Sequence, residues 1–232
     1  MTDKNFNDFD NYAESYRSVH SSCIKMTGAD SYYFAEHKIL QIKQHENEKY
    51  LKMLDVGCGD GAAEIYIEKY FPTWQVQAID ISKKSITEAQ GKNIKNAFFQ
   101  LYDGENIPFA DGSFDVVFMA GVLHHLNFAY HDSLLKEIRR TLKPGGRLYL
   151  NEQNPLNPVT KYLVNTCEFD KDAKLLMYNY TKAILKKAGY SVVKNKFTLF
   201  FPRKGILAKL IKFEDKLSWL PLGAQYMFRC VK

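Results

Sequence analysis

Cysteine is scarce in this chain of 232 residues: Cys23, Cys58, Cys167 and Cys230 are its four, with neither a CxxC pair nor a dense framework among them. That scatter argues against a zinc site and against a disulfide scaffold, and it suits a reducing cytoplasm. No run of about twenty apolar residues exists to span a bilayer. The opening MTDKNFNDFDNYAESY lacks the basic start and apolar stretch of a signal peptide, so the expected location is cytoplasmic. Internal repeats, low-complexity tracts and Pro/Gly/Ser linkers are missing as well, which leaves one domain over residues 1–232 as the expected organisation.

What is present is an ordinary globular composition, 46% hydrophobic and 25% charged. Lys and Arg number 32 against 26 Asp and Glu, a net +6. That modest excess is compatible with an anionic substrate, nucleic acid or an acidic membrane surface and selects none of them. To about Glu48 the chain is polar and aromatic and reads as helices without strands. From Tyr50 to Glu152 short apolar runs alternate with helix-length polar segments, the pattern of βαβ units around a mainly parallel sheet. Strands are expected at Lys52–Val56, Gln75–Ile79, Ala97–Leu101, Phe114–Met119 and Arg147–Leu150. A helix over Ser133–Leu142 stops at Lys143-Pro144-Gly145-Gly146, and another over Tyr180–Ala188 stops at Gly189. Strands at Ser191–Phe200 and Ala224–Val231 are expected to pair as an antiparallel hairpin, separated by a basic, apolar stretch from Arg203 to Leu220.

The strongest local signal is Met53-Leu54-Asp55-Val56-Gly57-Cys58-Gly59-Asp60-Gly61, an apolar strand that enters a glycine-rich turn and then a helix. Glycines there let backbone approach a ligand closely. By itself the turn is equally a plain strand-to-helix connection, and with Ala62 it can be read as the GxGxxA of a dinucleotide fingerprint. Asp80 closes the second strand roughly twenty residues on, where an acidic side chain accepts both hydroxyls of a ribose.

These residues resemble the class I S-adenosylmethionine-dependent methyltransferases, and most closely their small-molecule branch, often called type 11. Leu54 to Gly61 matches the first motif of that family, and Ala78-Ile79-Asp80-Ile81-Ser82 its second. Asp103-Gly104-Glu105-Asn106-Ile107-Pro108-Phe109 looks like its adenine-side turn. Asp111 to Val117 and Gly121-Val122-Leu123-His124-His125-Leu126 resemble the fourth strand and its exit, and Leu142 to Leu148 the entry to the fifth. The match is firm from about Leu51 to Glu152.

The resemblance implies an α/β fold: a Rossmann-like, doubly wound, seven-stranded, mostly parallel sheet with an antiparallel C-terminal hairpin and helices on both faces. Residues 1–48 would form a helical lid, 49–152 the cofactor-binding core and 153–232 the substrate side. It implies S-adenosylmethionine as cofactor and S-adenosylhomocysteine as product. Asp55, with the backbone of Gly57, Cys58 and Gly59, would hold the methionine part, and Asp80 the ribose. Ile81 would pack on the adenine, Asp103 would bond its amino group with Gly104 and Glu105 beside it, and Ala120 would close the pocket near the sulfonium. Asp103-Gly104 is alternatively only a turn and Ile81 only core, while Asp115 is assigned to structure. No metal is called for, because the methyl group is already activated and the acceptor displaces it in line.

His124 and His125 follow the fourth strand near the expected acceptor position, and either is a candidate general base, with packing as the alternative; Glu152 is a weaker candidate. Phe9 to Tyr16 places Tyr12 and Tyr16 on one helical face, as a lid over the cofactor or as ordinary packing. The stretch 203–220 reads as a basic amphipathic helix. A wall of the acceptor pocket is its favoured role, and peripheral membrane contact the less favoured one.

The leading function is therefore methyl transfer to oxygen, nitrogen or carbon of a small-molecule acceptor. Nucleic acid is not the expected partner: there is no Asn-Pro-Pro-aromatic tetrad for a flipped base and no dense basic stripe, and Asn154-Pro155-Leu156-Asn157-Pro158 falls after the fifth strand, the wrong place. A dehydrogenase would share the glycine turn but leaves the motifs at Asp103, His124 and Pro144 unexplained. A non-catalytic cofactor-binding module is the third possibility.

Overall fold

The computed structural model describes residues 21–167, 170 and 172–232. Its seven strands are β1 (Lys52–Val56), β2 (Gln75–Asp80), β3 (Ala97–Leu101), β4 (Phe114–Ala120), β5 (Leu142–Gln153), β6 (Ser191–Thr198) and β7 (Gln225–Val231). They form one sheet in the order β3-β2-β1-β4-β5-β7-β6. β1 runs parallel to β2 and β4, β2 to β3, and β4 to β5, while β7 is antiparallel to both of its neighbours, β5 and β6. The expected terminal hairpin is present. Chain order reverses between β1 and β4, which is where an open α/β sheet leaves a crevice at the carboxyl ends of its strands.

Helices cover both faces, so the central strands are apolar along their whole length and their alternation serves to divide two cores. Met53, Val116 and Phe118 point to one core with Ile39, Ile42, Ile67 and Trp74. Those partners come from α1 (Ser31–Lys43), α2 (Ala62–Tyr70) and the turn after it. Leu54, Val56, Val117 and Met119 point to the other, with Leu134, Leu135, Ile138 and Leu185. α4 (Phe128–Thr141) and α6 (Tyr178–Lys187) supply that side. Between these helices lie α3 (Lys83–Gly91) and α5 (Pro158–Thr166), capped by Ser82 and Asn157.

Three local expectations need correction. β5 begins at Leu142, because Leu142 pairs with Phe114 and Arg147 with Val116. Lys143 to Gly146 therefore bulge out of a strand and do not precede one. Asp115 holds this corner, accepting from the Lys52 amide at 2.9 Å and from Lys143 Nζ at 2.7 Å. The stretch 203–220 is not a continuous amphipathic α-helix: it is a 3₁₀ helix over Ile206–Phe213 followed by the single turn α7 (Glu214–Leu217). Its start is pinned by the Arg203 amide donating to the Thr27 carbonyl, and its later part by Glu214 accepting from the Phe200 and Phe201 amides and by the Ser218 carbonyl accepting from Phe197.

The third correction concerns the cysteines. Cys23 and Cys167 form a disulfide with Cα atoms 5.6 Å apart, although 144 residues separate them. It ties the segment before α1 to the end of α5, so these thiols give no argument for a reducing compartment. Closing so long a loop restricts the unfolded chain, and reduction is expected to lower stability by about 2–4 kcal/mol. Thermal melts with and without dithiothreitol check this, and coincident melts would contradict it. Among the described residues no helix is long and apolar enough to cross a membrane. The segment Phe9 to Tyr16, with Tyr12 and Tyr16 and the lid expected there, lies outside the described residues.

Candidate functional site

A cavity of about 550 Å³ opens at the carboxyl ends of β1 and β4, the crevice that the strand order predicts. Asp55, Gly57, Cys58 and Gly59 line it from β1, and Ala120, Gly121, His124 and His125 from β4 and the short turn after it. The remaining wall is mostly apolar and comes from residues before and within α1, from α5, and from Leu199 to Leu207.

The glycine turn is shaped by two different demands. Gly57 has φ +81°, and a Cβ there would lie 2.4 Å from Val122 Cγ2, so the site excludes any side chain. Gly59, at φ +55°, has open space where its Cβ would point. Its amide donates to Asp80 Oδ2 at 2.8 Å, while Ser82 donates to Asp80 Oδ1 at 2.9 Å. These bonds fix the Asp80 carboxylate at the end of β2. The Gly57 and Cys58 amides both donate to the Ile79 carbonyl, so they stitch β1 to β2.

Asp55 is fully buried, and its Oδ1 has no hydrogen-bond partner. Beside it lies Glu64 of α2, also fully buried, and the two carboxyls are hydrogen-bonding neighbours. Burial raises both carboxyls, Glu64 to about 7, and their mutual proximity means that the pair retains a proton near neutrality. Loss of that proton leaves a carboxylate in the cavity wall, which fits a ligand that brings an ammonium group. The linkage has a definite sign. A carboxyl raised in the folded state costs stability as pH rises from the ordinary glutamate range, near 4.5, through about 7. Glu64→Gln is therefore expected to match the parent near pH 4.5 and to exceed its stability at pH 8 by about 3 kcal/mol. Denaturant titrations at the two pH values check this, and a variant weaker than the parent at pH 8 would contradict it.

On the far side of the β4 exit, His124 and Glu152 are both buried, with Nδ1 2.6 Å from Oε2. Burial opposes the His124 cation, but the Glu152 carboxylate outweighs that and holds the ring above its ordinary range. Glu152 also accepts from the Leu123 amide at 3.0 Å, so it positions His124 and is not itself poised as a base. His125 is the contrary case, held neutral by burial and by neighbouring His124. Its Nε2 lies 3.6 Å from Asp170 Oδ1, and burial pushes Asp170 up to about 6. Ligand atoms of His124, His125 and Asp170 lie within 4.8 Å of one another.

The cavity thus gathers seven of the expected residues, Asp55, Gly57, Cys58, Gly59, Ala120, His124 and His125, with Asp80 joined through Gly59. Ile81, Asp103, Gly104 and Glu105 lie outside its lining, on the β2–β3 rim, where Asp80 pairs with Leu101. Asp103 accepts from the Glu105 and Asn106 amides at 2.8 and 2.7 Å. It therefore does build a turn, with Gly104 at φ +80° and Ile81 half-buried. Sequence reasoning missed Glu64, Asp170, Gln153 and Gln225. The two glutamines face each other across β5 and β7, both line the cavity, and each has a buried Oε1 without a partner.

Residues 54–150 match the family described as "Methyltransferase domain". That match spans 97 of the chain's 232 residues. The methyltransferase match to 27-O-demethylrifamycin SV methyltransferase of Amycolatopsis mediterranei is 33% identical over 106 residues, 44% of this chain and 38% of that protein. The demethylmenaquinone methyltransferase of Chlorobaculum parvum is 35% identical over 159 residues, 68% of this chain and 63% of the relative. The chain thus spans well under half of the rifamycin relative. A Thermotoga maritima structure, described as a methyltransferase and possible histamine N-methyltransferase, shares the fold over 98% of this chain and 99% of its own. Its TM-score is 0.70 at 20% identity.

Proposed function

We propose that this methyltransferase domain moves the methyl group of S-adenosylmethionine to a small, largely apolar acceptor, releasing S-adenosylhomocysteine. The observation that carries the reading is the placement of two acidic side chains at the switch point: Asp80, fixed by Gly59 and Ser82 behind the glycine turn, and Asp55, buried beside Glu64 in the wall of the cavity. When bound, the cofactor supplies an activated methyl group on a sulfonium. In this reading Asp55 takes the ammonium of its methionine part, helped by the open side of Gly59 and the backbone at Gly57 and Cys58. Asp80 takes the ribose hydroxyls, and the β2–β3 rim with Ile81, Asp103, Gly104 and Glu105 takes the adenine. Ala120 lies near the sulfonium.

The acceptor lies against the apolar wall formed by α5 and by Leu199 to Leu207. His125, neutral and next to Asp170, receives the proton that the acceptor loses as its new bond to carbon forms, while His124, tied to Glu152, fixes the turn that presents it. Relatives named for demethylmenaquinone and rifamycin substrates support a small-molecule acceptor. His125→Ala is expected to lower turnover roughly 100-fold while leaving cofactor affinity nearly unchanged. Transfer of a tritiated methyl group into fractionated cell extract finds the acceptor, and calorimetry on the same variant measures affinity. Equal losses in both, or unchanged turnover, would refute the assignment.

A further inference from the structure

The 3₁₀ geometry of Ile206–Phe213 sorts its side chains differently from an α-helix. With three residues per turn, every third residue shares an edge. Leu207, Leu210 and Phe213 fall on one edge and Ile206, Lys209 and Lys212 on the next, whereas Ala208, Ile211 and Glu214 fall on the third. The third edge is the covered one, and Glu214 anchors it to the Phe200 and Phe201 amides. The other two face solvent: Ile206 is 79% exposed, Leu207 48%, Leu210 36% and Phe213 41%, and Lys209 and Lys212 are exposed with them. Just beyond, Trp219 is 74% exposed. Lys212 and Lys216 place their ammonium groups 5.1 and 5.8 Å from the Phe213 ring, so cation and apolar surface lie side by side.

We propose that this segment, from Arg203 to Trp219, docks the protein on an anionic lipid bilayer. An apolar edge with a large aromatic, bordered by lysines and held on a fixed scaffold, matches the interfacial region of a bilayer: side chains enter the acyl boundary while ammonium groups meet lipid phosphates. Charge complementarity favours lipid over a neutral partner, since the stretch carries Arg203, Lys204, Lys209, Lys212 and Lys216 against Glu214 and Asp215, with Lys209, Lys212 and Lys216 exposed. Arg203 and Leu207 belong to the cavity lining as well, so the docked surface and the rim of the cavity are continuous. Resting on the methyltransferase reading, that continuity implies an amphiphilic acceptor drawn from the bilayer.

The chain's two tryptophans make the test specific, because Trp74 is buried in the core and Trp219 is exposed. The full chain, without cofactor or acceptor, is mixed with vesicles of phosphatidylcholine alone or with phosphatidylglycerol. Expected are co-sedimentation with the anionic vesicles, a blue shift of tryptophan emission, and loss of both as salt is raised. Lys209→Glu with Lys212→Glu should weaken partitioning roughly tenfold or more, and Leu210→Asp should weaken it also. Trp219→Phe should abolish the shift while the protein still sediments. Failure to bind anionic vesicles, equal binding to both compositions, parental binding by the charge-reversed variant, or a shift that survives Trp219→Phe would each overturn the proposal. So would capture by RNA or by a second copy of the chain while vesicles are ignored. None of these outcomes bears on methyl transfer, which is read separately from cofactor binding and from transfer of the tritiated methyl group.

Discussion

Asp80→Ala is expected to weaken binding of S-adenosylmethionine by roughly 100-fold, about 2.7 kcal/mol. Each Asp80 oxygen holds one backbone amide, from Gly59 and from Ser82, so the carboxylate is held in a fixed orientation at the end of β2. Two charge-assisted bonds to ribose hydroxyls account for a loss of that size. Asp80→Asn keeps the shape but sets its amide donor against the Gly59 or the Ser82 N–H, so it should lose at least roughly tenfold. Because alanine also releases the glycine turn, thermal melts of both variants accompany the calorimetry. A folded Asp80→Ala protein with parental affinity would contradict the assignment.

Removing the Glu152 carboxylate should have the largest effect on stability. Glu152→Ala leaves the His124 ring and the Leu123 amide buried without their partner, and breaking a buried pair from one side costs about 3–5 kcal/mol. For a chain of this size that corresponds to a fall in melting temperature of roughly 10 °C. Glu152→Gln retains an acceptor for the Leu123 amide and fills the same space, so it should cost about 1–2 kcal/mol. Loss of less than 1 kcal/mol in the alanine variant, by denaturant titration, would show that the pair is not what fixes the β4 exit.

The sheet was readable from residues alone because its central strands are buried on both faces, and such strands appear as unbroken apolar runs closed by polar or glycine turns. Met53 to Val56 and Val116 to Met119 are of this kind. The glycine turn was readable for a related reason: Gly57 has no room for a Cβ, a demand that only one residue type meets. Pro144-Gly145-Gly146 misled, since the same residues that stop a helix also make a bulge, and only the pairing of Leu142 with Phe114 distinguishes them. The eight residues of Ile206–Phe213 are too few to separate a period of 3.0 from one of 3.6.

Within the site, what was legible were the groups that motif spacing places at strand ends. The Cys23–Cys167 bond was not, because nothing local brings residues 144 apart together. Glu64 carries no local mark either, as an acid in the first turn of a helix ordinarily faces solvent and interacts with the helix dipole. Its burial beside Asp55 arises from packing on the sheet. Gln153 and Gln225 meet only through the register of β5 with β7, which the hairpin expectation did not specify.

The claim on which the rest depends is tested by titrating the purified full chain with S-adenosylmethionine, S-adenosylhomocysteine and NADH in a calorimeter, in two buffers of different ionisation enthalpy near pH 6.5. The account predicts one site for either adenosyl ligand, little or no heat from NADH, and a buffer-dependent enthalpy as the proton held between Asp55 and Glu64 leaves when the ammonium arrives. Binding of NADH in preference, or of neither adenosyl ligand, would contradict it.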